Sequence, residues 1–353
     1  MNSPDGERAD VPISAEPRLD LPAVVDSQVF KNWVKEVDKD PKLFINDIHV
    51  QSLDKFGKRV GFIKFRSNAV VNVGGDKGLI NVPGGVFMRG GSIAVLLILN
   101  CDGEDYTVLT LQARVPVGHH ALPEIPAGML DGTGNFKGAA ADEIAEECNI
   151  AISEGELIDL TSLTYGDEFR GMLPSPGGCD EFIRLYTCTR TVERSVLKKL
   201  QGRMTGLLAE GEHISLQIVP LADLWRCTPD AKALSALTLF ERLKLSDRLP
   251  RKRPKGITAA EIVQPDQEEK LRQERVSHVR SSSAIARPLA PTTSNESSNS
   301  GDGGERRRSV SFRDESSVQR ALEMGVARSN SNGGTNSPLA RPIRSGPFTA
   351  PRC

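Results

Sequence analysis

No apolar run in this 353-residue chain approaches the twenty or so residues needed to cross a bilayer. The six cysteines (Cys101, Cys148, Cys179, Cys188, Cys227 and Cys353) show no CxxC spacing, and the five histidines do not gather beside them. That argues against a zinc site and leads to the expectation of reduced thiols in the cytosol. The net charge of −1 offers no bulk attraction to nucleic acid or to a membrane. The first twenty residues, MNSPDGERADVPISAEPRLD, carry acids and no apolar core, so neither a secretory signal nor an organelle presequence is expected. Aromatic residues almost vanish beyond position 249, where Ser, Pro, Arg and Gly dominate. Such a stretch lacks the apolar surface that offsets the entropy of ordering. Residues 249–353 are therefore expected to be disordered, with transient helix at 262–277 and 314–327, and residues 1–27 to be loose. About 220 residues remain to fold, ample for a core.

The tail carries the basic runs RKRPK (251–255) and RRR (306–308). Such runs are ordinarily solvated; the sharper reading is a nuclear signal or a docking patch. Ser309 and Ser311 follow the second run, a pattern suited to a basic-directed protein kinase, whose phosphate would invert the local charge.

Within the folded part, FKNWVKEVDKD (30–40) reads as a helix, and the stretch from Leu43 to Asn72 reads as strands about a Gly turn. SIAVLLILNCDGEDYTVLTLQARV (92–115) reads as two strong strands about an Asp-Gly turn. LIDLTSLTY (157–165) and EFIRLYTCTRT (181–191) read as strands, with a helix at 193–200. HISLQIVPLADLW (213–225) reads as a strand entering a helix, and 229–245 as a closing helix. This order suits a mixed β-sheet between helices.

The stretch AADEIAEECNI (140–150) holds Glu143, Glu146 and Glu147. Nothing from 139 to 148 breaks a helix, Asn135 is placed to cap its start, and Asn149 tolerates the left-handed stop. A helix over 136–148 puts the three glutamates at i, i+3 and i+4 on one face. Carboxylates so close repel by a few tenths of a kcal/mol per pair. An acidic solvated face is the bland reading. The alternative is a divalent cation, since Mg²⁺ takes carboxylate oxygens and fills its shell with water and substrate phosphate.

The surrounding LPEIPAGMLDGTGNFKGAAADEIAEECNI (122–150) resembles the Nudix hydrolase signature. Gly128, Glu143, Ile144, Glu146, Glu147 and Ile150 fall at its spacings. Three positions depart: Gly134 stands where a Glu belongs, Asp142 where an Arg belongs, and Asn149 where a Gly belongs. The segments 54–66, 109–130, 174–181, 201–225 and 228–244 resemble the ADP-sugar diphosphatase branch of that superfamily, and the likeness covers about residues 30–247. It implies an α/β Nudix fold, an α/β/α sandwich with a mixed sheet at 91–248, preceded by a β-rich extension at 28–90. It further implies a homodimer that splits ADP-ribose or ADP-glucose into AMP and a sugar phosphate.

By the same resemblance, Mg²⁺, with Mn²⁺ able to replace it, is held by Glu143, Glu146, Glu147 and the carbonyl of Ala127 beside Gly128. Glu212 is the base, with Glu210 its rival; a surface carboxylate is the plain alternative. Arg114 grips the diphosphate, unless it is a solvated strand-end arginine. Glu124 accepts from ribose or adenine, or else makes a structural hydrogen bond. Ser175, Gly177 and Gly178 form a loop near the sugar, or an ordinary turn. Asp142 adds negative charge where relatives place an orienting arginine, which predicts weaker Mg²⁺ binding or slower turnover. Tyr165-Gly166 stand where ADP-sugar subgroups often carry proline. The second reading is a nucleotide-sugar sensor or scaffold on a weakened domain.

Overall fold

The computed structural model describes residues 8–57, 59–74, 78–130, 135–206, 213–251, 254–257 and 308–313. The chain divides into two compact units, Met1–Phe87 with Arg307–Cys353, and Met88–Arg306. The elements of the first are β1 (Arg8–Ala15), α1 (Leu21–Asp26), α2 (Gln28–Val37), β2 (Leu43–Phe56), β3 (Arg59–Gly74), β4 (Gly78–Val82), β5 (Gly85–Met88) and the last strand, β15 (Arg308–Arg313). They form a sheet in the order β15-β1-β2-β3-β4, with β5 added to β3. The long β2–β3 hairpin turns near Gly57, whose φ of 60° is the left-handed conformation a glycine adopts without strain. Alternate residues of β3, Ile63 and Phe65, are buried. Phe65 meets Phe30 and Trp33 of α2 edge-on, at 6.4 and 4.9 Å between ring centroids.

Within the stretch expected to be loose, the described residues from Arg8 onward form β1 and α1. Val11 and Ile13 alternate with exposed Pro12 and Ser14, so β1 has a buried face and pairs with β2 in parallel. Asp20 caps α1 by accepting from the Ala23 N–H at 3.1 Å, and Val24 is fully buried. The tail departs from its composition in two places. β15 pairs antiparallel with β1, and β14 (Lys255–Ile257) pairs in parallel with β11 (Ile183–Val192), with Ile257 buried. Main-chain pairing and one apolar anchor suffice for so short a strand. The helices expected at 262–277 and 314–327 lie outside the described residues.

The second unit runs β6 (Ser92–Cys101), β7 (Glu104–Arg114), β8 (His119–Glu124), β9 (Ala127–Met129), α3 (Phe136–Cys148), β10 (Ile158–Asp159), α4 (Leu160–Tyr165), β11, α5 (Arg194–Leu200), β12 (Met204–Thr205), β13 (Ile214–Pro220), α6 (Leu224–Cys227), α7 (Ala231–Leu245) and β14. Its sheet has the order β10-β11-β6-β7-β13-β12, with β8 on β7 and β9 on β6. β6 is parallel to β11 and antiparallel to β7, so the sheet is mixed as expected. The β6–β7 turn has Asp102 and Gly103 at φ 55° and 84°, the left-handed pair a two-residue hairpin requires.

β6 shows why the sheet lies between helices. Ile93, Val95 and Leu97 pack with Ala140 and Ile144 of α3 and Val196 of α5. Ala94, Leu96 and Ile98 pack with Leu160 of α4 and with Ala233 and Leu237 of α7. Both faces of the strand are apolar because both are covered. One expected strand is corrected: in 157–165 only Ile158–Asp159 is extended. Asp159 accepts from the Ser162 N–H at 2.8 Å and starts α4, which ends at Gly166 with φ 61°.

Candidate metal and diphosphate site

α3 spans the residues its sequence predicts. Oδ1 of Asn135 accepts from the Gly138 N–H at 3.0 Å, and Asn149 ends the helix at φ 57°. Ala140, Ile144 and Cys148 bury one stripe against the sheet. The glutamates occupy the margin of that stripe: Glu147 is buried, and Glu143 and Glu146 are partly covered. Asp142 is exposed.

Two glutamates are set against β9. The N–H of Ala127 donates to Oε2 of Glu147 at 3.1 Å, and Nε2 of Gln112, from β7, donates to Oε1 at 3.3 Å. The Glu147 carbonyl accepts from the Thr205 hydroxyl at 2.6 Å, which occupies an otherwise orphaned helix-end carbonyl. Glu143 lies against Gly128: a Cβ placed on that glycine would fall 1.7 Å from Oε1. The missing side chain is thus a cradle for a carboxylate. Hard oxygen donors on a half-buried helix face, with this cradle beside them, fit a hard cation. Among the described residues no three acidic, histidine or cysteine side chains converge closely enough to enclose a metal alone. A cation here would take the rest of its shell from water and other oxygen donors. Gly134, Glu210 and Glu212 lie outside the described residues.

Arg114 and Glu124 are brought together, on each other. Nε of Arg114 lies 2.5 Å from Oε2 of Glu124, and Nζ of Lys232 lies 2.6 Å from Oε1. Both oxygens of Glu124 are therefore engaged by cations of the protein itself. Lys232 also reaches Oδ1 of Asp230 at 2.9 Å, while Oδ2 of Asp230 accepts from the Ile125 N–H at 3.3 Å. Burial pushes the Glu124 carboxyl up, but the Lys232 ammonium and the Arg114 guanidinium outweigh it and hold it below its ordinary value. Burial pulls Lys232 down, and Asp230 and Glu124 more than offset this, leaving it above the usual lysine value.

Ser175 and Gly177 are exposed and Gly178 partly so; the N–H groups of Gly178 and Cys179 donate to the Ser175 carbonyl at 3.2 and 3.0 Å. This is a turn of ordinary geometry. Its neighbours carry more chemistry: Oδ1 of Asp180 accepts from the N–H groups of Arg89 and Gly90 at 2.8 and 3.1 Å. Oε1 of Glu181 lies 3.5 Å from Nε of Arg89, and burial raises both acids. Lys232, Asp230, Gln112, Asp180 and Glu181 escape sequence reasoning. Lys232 stands 108 residues from Glu124, and only the TPD of 228–230, a helix-cap pattern, points to the turn that carries it. A hollow of about 500 Å³ lined by Glu104, Asp105, Tyr106, Pro220, Phe240 and Lys244 lies at the opposite end of β7 and holds none of these residues.

The domain is thus a mixed sheet between helices, with a carboxylate-bearing helix packed beside its central strand. The NUDIX domain model matches residues 88–243. The chain is 40% identical over 229 residues to "Nudix hydrolase 14, chloroplastic" of Arabidopsis thaliana, covering 63% of this chain and 72% of that one. It is 33% identical over 76 residues to an uncharacterized Nudix hydrolase of Schizosaccharomyces pombe, covering 22% and 35%. A solved structure of an ADP compounds hydrolase aligns with a TM-score of 0.39 at 17% identity, over 59% of this chain and 97% of that one. The chain belongs to the Nudix hydrolase family.

Proposed function

We propose that this chain is a Mg²⁺-dependent ADP-sugar diphosphatase that splits ADP-ribose or ADP-glucose into AMP and a sugar phosphate. The observation that carries this reading is the pairing of Glu143 with the Gly128 cradle and of Glu147 with the Ala127 N–H. The preference for ADP-sugars rests on the sequence likeness of 54–66, 109–130, 174–181, 201–225 and 228–244 to that branch. Glu143 and Glu147 are the firmest ligands in this account, Glu146 supports them, and the Ala127 carbonyl completes the protein's share. Held there, Mg²⁺, or Mn²⁺ in its place, would supply positive charge beside the diphosphate and lower the pKa of a water. Arg114 grips the diphosphate. Glu212 takes the water's proton, with Glu210 as its rival, and the 175–178 turn borders the sugar.

The homodimer belongs to the same reading and uses the N-terminal unit. Phe56, Ile80 and Phe87 are large apolar residues left exposed there. Phe62 joins Phe56 and Phe87 in one aromatic row, at 5.0 and 5.3 Å. Such a row is suited to a second copy. The cytoplasm is the proposed location, with nuclear entry through the basic tail and a protein kinase acting at Ser309 or Ser311. Among the described residues no helix is long and apolar enough to cross a membrane.

A second reading, a nucleotide-sugar sensor or scaffold, draws on Asp142 at the place of the orienting arginine and on the protein donors that occupy Glu147. One experiment separates them: AMP release from ADP-ribose, ADP-glucose and ADP-mannose with Mg²⁺, beside Glu146→Gln. Release that falls in the variant supports the enzyme. Tight ADP-ribose binding without release supports the sensor.

A further inference from the structure

The cluster of Arg114, Glu124, Lys232 and Asp230 is a balanced set of two cations and two anions, and all but Arg114 are nearly closed to water. Side-chain exposure is 8% for Glu124, 14% for Lys232 and 6% for Asp230, against 40% for Arg114. The Asp230 carboxylate caps α7 through the N–H groups of Lys232 and Ala233 at 3.1 and 3.3 Å, so Lys232 leaves a fixed helix start. The Thr228 hydroxyl donates to the Pro123 carbonyl at 2.5 Å and the Ile125 N–H to Asp230. The turn at 228–232 therefore holds both the backbone and the carboxylate of the segment around Glu124.

Each Glu124 oxygen has one cation. Lys232 takes Oε1, and Arg114 bonds to Oε2 through Nε. A carboxylate with both oxygens open to an arginine forms a two-point fork, using Nε and a terminal nitrogen together. Lys232 stands where that second point would form. We propose that Lys232 is a positioning residue: by occupying Oε1 it restricts Glu124 to a single bond with Arg114 and leaves the guanidinium's terminal nitrogens for a nucleotide diphosphate. This rests on the role given to Arg114 above. It assigns Lys232 no contact with substrate. Without the ammonium, Oε1 turns to Arg114, and the guanidinium is drawn into the protein by a fork of its own.

The test is a double-mutant cycle read by calorimetric binding of ADP without metal, with KM and kcat for ADP-ribose measured beside it. Lys232→Gln keeps a hydrogen-bond donor and removes the charge. Alone it weakens ADP binding by about tenfold, the scale of one charged hydrogen bond, and raises KM more than it lowers kcat. Arg114→Ala weakens binding by at least as much. In the double variant Lys232→Gln adds nothing, because there is no arginine left to position. Lys232→Arg, which keeps the charge and an occupant at Oε1, restores most of the binding; Lys232→Met, which removes charge and donor together, replaces Lys232→Gln in the cycle should that variant fail to fold. Wild-type ADP affinity in Lys232→Gln, or equal losses with and without Arg114, overturns the proposal. A cycle that couples in a protein unable to split ADP-ribose leaves Lys232 as assigned and removes the proposed reaction. Additive losses in an active enzyme do the reverse.

Discussion

A methyl group added to Gly128 would fall 1.7 Å from Oε1 of Glu143, so the glycine's missing side chain and the carboxylate's position are one structural fact. Gly128→Ala forces Glu143 to move, and the atom it meets is the far end of a flexible side chain. The fold therefore tolerates the change at a cost of about 1 kcal/mol, the usual scale of a single substitution. Activity falls about a hundredfold, since misplacement of a functional group by an ångström costs that much. Thermal unfolding beside AMP release checks this; a parallel loss of both would show a general packing defect instead.

Acid stability reads the Glu124 pair. Its carboxyl titrates below the ordinary value when folded, so the unfolded chain takes up the proton first as pH falls. The stabilisation is full above about pH 4.3, the ordinary glutamate value, and is lost as pH drops through the folded value. Lys232, held above its ordinary value, contributes at neutral pH and loses its contribution only in strong base. Glu124→Gln should flatten the acid limb of stability against pH, leaving Arg114 without this counter-charge and Lys232 with Asp230 alone. Removing one partner of a buried pair costs about 3 kcal/mol. Urea unfolding at pH 7 and below pH 4 measures both effects.

At the end of α3, Asn149 sits at φ 57°, and its buried Oδ1 finds no donor among the described residues. Alanine gains nothing from the left-handed conformation that asparagine tolerates, so Asn149→Ala should lose about 1–2 kcal/mol. Asn149→Gly restores the family residue, removes the Cβ conflict and an unsatisfied oxygen, and should be the more stable of the two by about 1 kcal/mol. Chemical denaturation of the two variants gives the order directly.

Asp142 is exposed on α3, four positions before Glu146. Like charges at that spacing repel, and Asp142→Arg turns the repulsion into an attraction worth about 0.5 kcal/mol to the helix. The same arginine orients the glutamates in relatives, so turnover with Mg²⁺ should rise. Steady-state kinetics across a Mg²⁺ titration tests it; no gain in a fast wild-type enzyme would show that another basic residue already does this work.

Local patterns made much of the molecule legible. The ends of α3 follow from Asn135 and Asn149, the β6–β7 turn from Asp102-Gly103, and the layering of sheet and helices from the order of the elements. Where a pattern was short, a local cap decided: Asp159 turned an apolar stretch into α4. β1 was hidden because Val11 and Ile13 are a brief alternation inside a polar segment, and its partners lie far along the chain. The acidic face of the site was written in one helix. The partner of Glu124 was not, because Lys232 comes from the opposite end of the domain, and pairing over that distance leaves no trace in a single sequence.

AMP release from ADP-ribose, with and without Mg²⁺, in the wild type and in Glu143→Gln and Glu147→Gln, bears most directly on the central claim. The account predicts metal-dependent release in the wild type and a loss of at least about a hundredfold in each folded variant, the scale on which misplaced functional groups act. Release that ignores the metal, or that survives both substitutions, would contradict it.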